Sequence, residues 1–228
     1  LQDNYNIDKI YLDAYQQIST PGGERYPDAT AALNRRMERG SLIVNYTGHG
    51  GELGWAHERF LEIHDINSWK NQCKLPLFFT ATCEFSRWDD PDRTSAGELT
   101  FLNPNGGSIG LMSTTRVVYS GPNAILNNYF YDYTFSAMKS GKMPHLGDLH
   151  MLTKKSMSPN QINHRNFSLL SDPALSLNYP EFTVSTSEIN GVAVNALLPD
   201  TIRALNQVTV KGEIRDYNGN LAANFNGI

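Results

Sequence analysis

The sequence predicts an α/β fold, a parallel sheet with helices on both faces, followed by the start of a β-sandwich module. Three observations lead there. Apolar runs rich in β-branched and aromatic residues recur at Leu42–Tyr46, Leu77–Thr82 and Ser108–Ser113, each bounded by turn residues, as buried strands are. Helical stretches separate these runs, and that alternation implies right-handed crossovers between parallel neighbours. Past Pro180 the pattern changes to strict alternation, at Phe182–Ser185 and Val208–Ile214, the signature of half-buried strands. The division is therefore residues 1–180 as one domain and 181–228 as a partial, Ig-like β-sandwich, expected to be incomplete or to pack on the first domain.

In chain order, Ile7–Leu12 reads as a strand and Thr20-Pro21-Gly22-Gly23 as a loop. A helix starts with Asp28 as N-cap and runs to Arg39; cations crowd its last turns and Gly40 stops it. After strand 42–46, Asp65 caps a short helix from Ile66 to Asn71. Pro76 opens the next strand, where a missing N–H is tolerated. Arg87–Arg93 is a polar loop, Ser95 caps a helix through Leu102, and Asn103–Gly107 is a turn. Two helices follow strand 108–113, Asn123–Ser140 and Leu146–Met157, and a short strand at Leu175–Asn178 closes the block. In the tail, Asp216–Asn220 carries an Asn-Gly turn signal.

Composition narrows the function. The 228 residues carry a net charge of −4 and no long basic run, which argues against a nucleic-acid surface. No apolar run reaches the length of a membrane span. The start, Leu1-Gln2-Asp3-Asn4, has neither Met nor a signal peptide, as expected of a piece of a longer protein. The two cysteines, Cys73 and Cys83, form no CxxC motif and are too few for a disulfide framework. His49, His57 and His64 match no zinc signature, and scattered polar histidines are the favoured reading.

Two strands end in reactive residues: Thr47-Gly48-His49-Gly50-Gly51 follows the first and Cys83-Glu84-Phe85 the second. Ligands of open α/β sheets bind beyond the carboxyl ends of the strands. A thiol becomes a strong nucleophile when an imidazole takes its proton, and the imidazolium then protonates the leaving amine. The tetrahedral oxyanion needs preorganised N–H donors; Gly50, with no side chain in the way, and Cys83 supply them. Taken singly, His49 reads equally well as a turn histidine, and Cys83 reads better as a buried small hydrophobe. Their matched positions favour catalysis. Cys73 reads as structural or incidental. Thr114, Thr115, Arg116 and Tyr119, leaving the third strand, are candidates for the substrate pocket, with an ordinary polar loop nearly as good a reading. Arg116 has an alternative partner in the Asp89-Asp90-Asp92 cluster.

Tyr46-Thr47-Gly48-His49-Gly50 and Thr80-Ala81-Thr82-Cys83 resemble the His and Cys motifs of the gingipain family of cysteine peptidases. Ile10–Tyr15, Gly106–Gly110 and Ser171–Leu175 resemble other segments of its domain over about residues 1–180. The resemblance implies a caspase-like fold, His49 as general acid/base, Cys83 as nucleophile and an oxyanion hole from the Gly50 and Cys83 amides. Arg87–Pro91, Thr115-Arg116-Val117 and Val208–Gly212 resemble the sortase branch of the family, which serves type IX secretion. That implies a transpeptidase at the surface of a Gram-negative bacterium, which removes C-terminal signal domains from secreted cargo and passes the cargo to lipopolysaccharide, alongside other secretion components. A plain hydrolytic endopeptidase and a non-catalytic docking module are the alternatives. No cofactor is implied beyond calcium, which family members bind; the Asp89-Asp90-Pro91-Asp92 spacing fits no EF-hand loop, so no metal residues are assigned. The histidine-orienting carboxylate of some members would fall before Leu1, in an upstream half expected to be missing, so the piece is expected to be inert alone. Glu52 and Glu84 read as solvent or loop-cap residues.

Overall fold

Parallel pairing of three apolar strands builds the centre of the larger unit. The computed structural model describes residues 5–138, 141–195, 201–216 and 219–226. Contacts divide the chain into two units, Ile7–Asn178, and Leu1–Asn6 with Tyr179–Ile228.

The Ile7–Asn178 unit opens with a 3-10 turn at Leu12–Ala14 and a hairpin of β1 (Ile18–Thr20) and β2 (Gly23–Arg25). Helix α1 (Pro27–Arg39) leads to β3 (Ile43–Thr47). A small antiparallel sheet follows, β4 (Gly50–Gly51), β5 (Gly54–Trp55) and β6 (Leu61–Glu62). Then come α2 (Ile63–Ser68), β7 (Leu77–Ala81), α3 (Ala96–Leu102), β8 (Gly110–Thr114), α4 (Ser120–Thr134), α5 (Leu146–Lys155), α6 (Ile162–Asn166) and β9 (Phe167–Leu170). The main sheet has the order β3-β7-β8-β9: the first three are parallel, and β9 runs antiparallel to β8.

Alternation along the strands sends side chains to two apolar layers. Val44, Phe78 and Leu111 are register partners on one face, and their layer includes Ala29, Leu33 and Met37 of α1, Ile66 of α2, and Trp55 and Trp69. On the other face Phe79 stacks on Phe130 of α4 at 4.2 Å and lies 5.8 Å from Phe167 of β9. Phe78 and Phe79 are fully buried, each stabilising the fold by about 1.5–3 kcal/mol through lost apolar exposure. Helices thus cover both faces, as expected.

Several local expectations are corrected. Ile7–Leu12 is not a strand: Ile10, Leu12 and Tyr15 pack on the core, Ile7 and Tyr11 face solvent, and the Tyr11 and Leu12 carbonyls accept bonds within the turn, from Ala14 and Tyr15. The loop at Thr20–Gly23 is narrower than expected: Pro21-Gly22 turns a hairpin whose strands include Thr20 and Gly23. Helix α1 begins one residue earlier, at Pro27, whose missing N–H costs nothing there; Tyr26 is the N-cap and Asp28 sits in the first turn. Asp65 lies inside α2 rather than capping it, and closes a capping box by accepting from the Glu62 N–H at 3.0 Å. Helix α4 ends at Thr134, and Lys139–Ser140 of the expected helix lie outside the described residues. Leu175–Asn178 makes only a bridge from Ser176 to His145; the Leu175 carbonyl accepts from Leu146 N–H at the start of α5, and Phe167–Leu170 takes the place beside β8.

In the other unit β10 (Phe182–Ile189) pairs antiparallel with β11 (Val192–Ala193) and with β12 (Val210–Asp216). The turn expected after Asp216 includes Tyr217 and Asn218, outside the described residues; the Gly219 N–H donates to the Asp216 carbonyl.

On α5, His150 is half-buried. Burial first, then Lys154 and His164, push its imidazole down to about 4 from the ordinary 6.5. The unfolded chain therefore takes up a proton between about pH 6.5 and 4 that the folded chain refuses, so this part of the stability is present above pH 6.5 and lost as pH falls through that window. Urea unfolding at pH 7 and pH 4 should show a loss of about 3 kcal/mol from this group, absent in His150→Gln. An identical pH dependence in the variant would count against the assignment.

Candidate active site

The register of β3 on β7 places the two candidate residues. Thr47 pairs with Ala81, and His49 and Cys83 each lie two residues further on, at the carboxyl edge of adjacent parallel strands. The Gly48 N–H donates to the Ala81 carbonyl at 3.4 Å, which keeps the two exits side by side. His49 is exposed and Cys83 half-buried.

Beyond His49 the chain turns back through β4 and β5. The Ala56 N–H donates to the His49 carbonyl at 2.7 Å, and the Tyr46 hydroxyl donates to the same oxygen at 2.7 Å. Burial, reinforced by Glu58, holds the Tyr46 phenol well above its ordinary range, so it stays a donor. The Ala56 bond makes Gly50 and Trp55 a non-hydrogen-bonded pair, which points the Gly50 N–H away from β5. A methyl group on Gly50 would lie 2.6 Å from Thr82 Oγ1 and 2.9 Å from the Gly54 carbonyl oxygen, so only glycine fits. Thr82 Oγ1 is buried and has no hydrogen-bond partner among the described residues.

Cys83 is followed by Glu84 at φ 51°, a left-handed conformation that a residue with a side chain adopts at a cost of about 1–3 kcal/mol. The Cys83 thiol points toward the Val118 carbonyl, with Sγ 3.7 Å from the oxygen. No hydrogen bond among the described residues uses the Cys83 N–H. The loop leaving β8 therefore runs beside the thiol.

The candidate pocket residues on that loop separate into two groups. Thr114 is fully buried and its hydroxyl donates to the Thr82 carbonyl; Thr115 donates through N–H and hydroxyl to the Asn166 carbonyl. Both hold the loop rather than face a ligand, because their polar atoms are spent on backbone oxygens. Arg116 makes a two-pronged pair with Asp89 at 2.8 and 2.6 Å, which draws the carboxyl of Asp89 below its ordinary range. Arg116, Val117 and Tyr119 are exposed, and buried Asn163 fixes Tyr119 by bonding its N–H and carbonyl at 3.0 and 2.8 Å. The role of Asn163 is not visible in the sequence; an Asn that grips a backbone 44 residues away leaves no local signal.

A cavity of about 500 Å³ opens beside the histidine, lined by His49, His57, Arg59, Glu62, Glu84 and Arg93 among others. The His49 and His57 rings lie 5.2 Å apart. Glu52 is no solvent residue: its side chain is 14% exposed and binds Arg87 at 2.6 Å and Arg93 at 3.1 Å. Glu84 lines the cavity and lies 3.8 Å from Arg87. Among the described residues no cluster of three or more His, Cys, Asp or Glu converges to hold a metal; Asp89 and Asp90 are engaged by Arg116 and Arg87.

Residues 1–178 match peptidase family C25. The chain belongs to this family of cysteine peptidases. Two solved structures share its caspase-like fold. The complex of Porphyromonas gingivalis RgpB pro- and mature domains has a TM-score of 0.58 at 15% identity, over 69% of this chain and 40% of that one. The Arg-specific cysteine proteinase gingipain R (RgpB) has a TM-score of 0.53 at 17% identity, over 69% of this chain and 39% of that one. This C25 chain thus spans about two fifths of the length of the solved structures it matches. No curated protein sequence matches it.

The glycines after His49 give an internally controlled prediction. Gly50→Ala, which must displace Thr82 or Gly54, should cost about 1–3 kcal/mol in urea unfolding. Gly51→Ala, with no atom within 4 Å of the added methyl, should stay within about 0.5 kcal/mol of the parent. Equal costs would sink the account.

Proposed function

We propose that this chain carries the Cys-His dyad of a cysteine peptidase that acts by transpeptidation. The observation that carries the reading is the paired exit of β3 and β7, with His49 and Cys83 each two residues past the Thr47–Ala81 pair. Family membership supports the chemistry, and the resemblance of Arg87–Pro91, Thr115–Val117 and Val208–Gly212 to the type IX secretion sortase PorU supports the finer assignment.

In this mechanism His49 takes the Cys83 proton, and the thiolate attacks the scissile carbonyl. The amides of Gly50 and Cys83 donate to the oxyanion. Protonated His49 gives its proton to the departing amine, which leaves a thioester on Cys83. An incoming amine, deprotonated by His49, attacks the thioester and takes over the acyl group; water in its place gives hydrolysis. No step needs a cofactor. The substrates are secreted cargo proteins with a C-terminal signal domain, the acceptor is an amine of surface lipopolysaccharide, and the site of action is the outer surface of a Gram-negative bacterium.

The test uses the full-length protein. Cys83→Ala and His49→Ala should each lower signal-domain removal by about a thousandfold or more, with cargo retaining its signal. Unimpaired processing in Cys83→Ala would refute the nucleophile. The mass of the new cargo C-terminus separates the two fates of the thioester: an adduct supports transfer, and a free carboxylate alone overturns it in favour of hydrolysis.

A further inference from the structure

We infer that Glu52 is a positioning residue that locks the tip of the His49–Gly50 hairpin onto the chain segment that follows Cys83. The inference rests on the dyad reading above, and extends it to a residue outside the dyad and the oxyanion hole.

The hairpin is poorly equipped to hold itself. β4 consists of two glycines, which offer no side chain to pack, and β5 has two residues. Its base is secured by Trp55, which stacks on Tyr46 at 4.3 Å and meets Phe85 at 5.4 Å. Its tip has only Glu52 and Leu53, and Leu53 is exposed. The β5–β6 ladder holds Gly54 beside Glu62, and the contacts that fix the tip to the far side of the site pass through Glu52. Its two carboxylate oxygens accept from Arg87 and Arg93, and its carbonyl accepts from the Ala96 N–H at 2.7 Å. All three donors belong to the stretch from Arg87 to Ala96, just downstream of the thiol. Arg87 also lies 3.8 Å from Glu84 and 3.6 Å from Asp90, so Glu52, Glu84 and Asp90 share one guanidinium.

Gly50 sits between the anchored base and the anchored tip. The Glu52–Arg87 bond is part-buried, and a charge-assisted bond so placed is stronger and more directional than an exposed ion pair such as the one to Arg93. Cutting these bonds frees the tip to swing and carries the Gly50 N–H away from the oxyanion, while the thiol stays where β7 leaves it. The loss therefore falls on acyl transfer and not on simple thiol alkylation.

The experiment compares the full-length parent with Glu52→Ala and Glu52→Gln. Hydrogen exchange at residues 49–54 should quicken in Glu52→Ala, with β3, β7 and β8 unchanged. Inactivation by a peptidyl acyloxymethyl ketone, which needs the aligned hairpin, should slow about 10–100-fold. Iodoacetamide alkylation of Cys83, followed by peptide mass, should change less than about twofold. Glu52→Gln, which keeps one oxygen to accept from Arg87, should recover part of the loss. Unchanged exchange at the tip overturns the inference, as does an equal slowing of both reagents accompanied by a fall in Tm. A parent that resists the peptidyl reagent refutes the dyad reading instead, and the exchange data still decide the role of Glu52.

Discussion

Parallel pairing of β3 with β7 is the constraint on which the site depends. Once Thr47 lies opposite Ala81, the chain must leave both strands at one edge, and whatever side chains come two residues later become neighbours. The pairing is held from both faces, by Val44 and Phe78 in one layer and Phe79 in the other. A slip of one residue would exchange the two faces and scatter the site along with the core. β8 extends the same logic one strand further, and brings Val118 against the thiol.

The parts legible in the sequence were those governed by periodicity and local caps. The three parallel strands, the helix ending at Arg39 with its Gly40 stop, and the Ser95 cap all follow from short-range chemistry, and His49 and Cys83 stood out because each follows a strand. The parts that escaped were decided by partners far away in the chain. Ile7–Leu12 has a strand-like composition, yet its fate turns on the core beneath it. Phe167–Leu170 and Leu175–Asn178 look alike as short apolar runs, and only the place beside β8 tells them apart. Glu52 looked like any polar turn residue, because the arginines that bury it lie 35 and 41 positions on.

Within the Ile7–Asn178 unit the left-handed non-glycine residues gather around the cleft. Glu84 is left-handed directly after the thiol, Ala56 and Arg59 are left-handed in the loop below the histidine, and Gly50 is pressed against Thr82. Such arrangements persist when the surroundings over-determine them. Here the surroundings are the Trp55 aromatic cluster, the Tyr46 bond to the His49 carbonyl and the arginine pair on Glu52. Each binds backbone or hairpin, which leaves the His49 ring and the Cys83 thiol as the less encumbered groups at the edge.

The spacing of the sheet also bears on when the site comes into being. β3 and β7 pair residues 34 positions apart, and β8 and β9 pair Leu111 with Leu170. Contacts that distant form only after long loops have closed, so a sheet of this kind assembles slowly compared with its helices. Throughout that interval Cys83 is an ordinary thiol on an unpaired strand, with no histidine exit beside it and no hairpin above. On the dyad reading proposed above, ordering the sheet is then also the step that first brings the histidine exit beside the thiol.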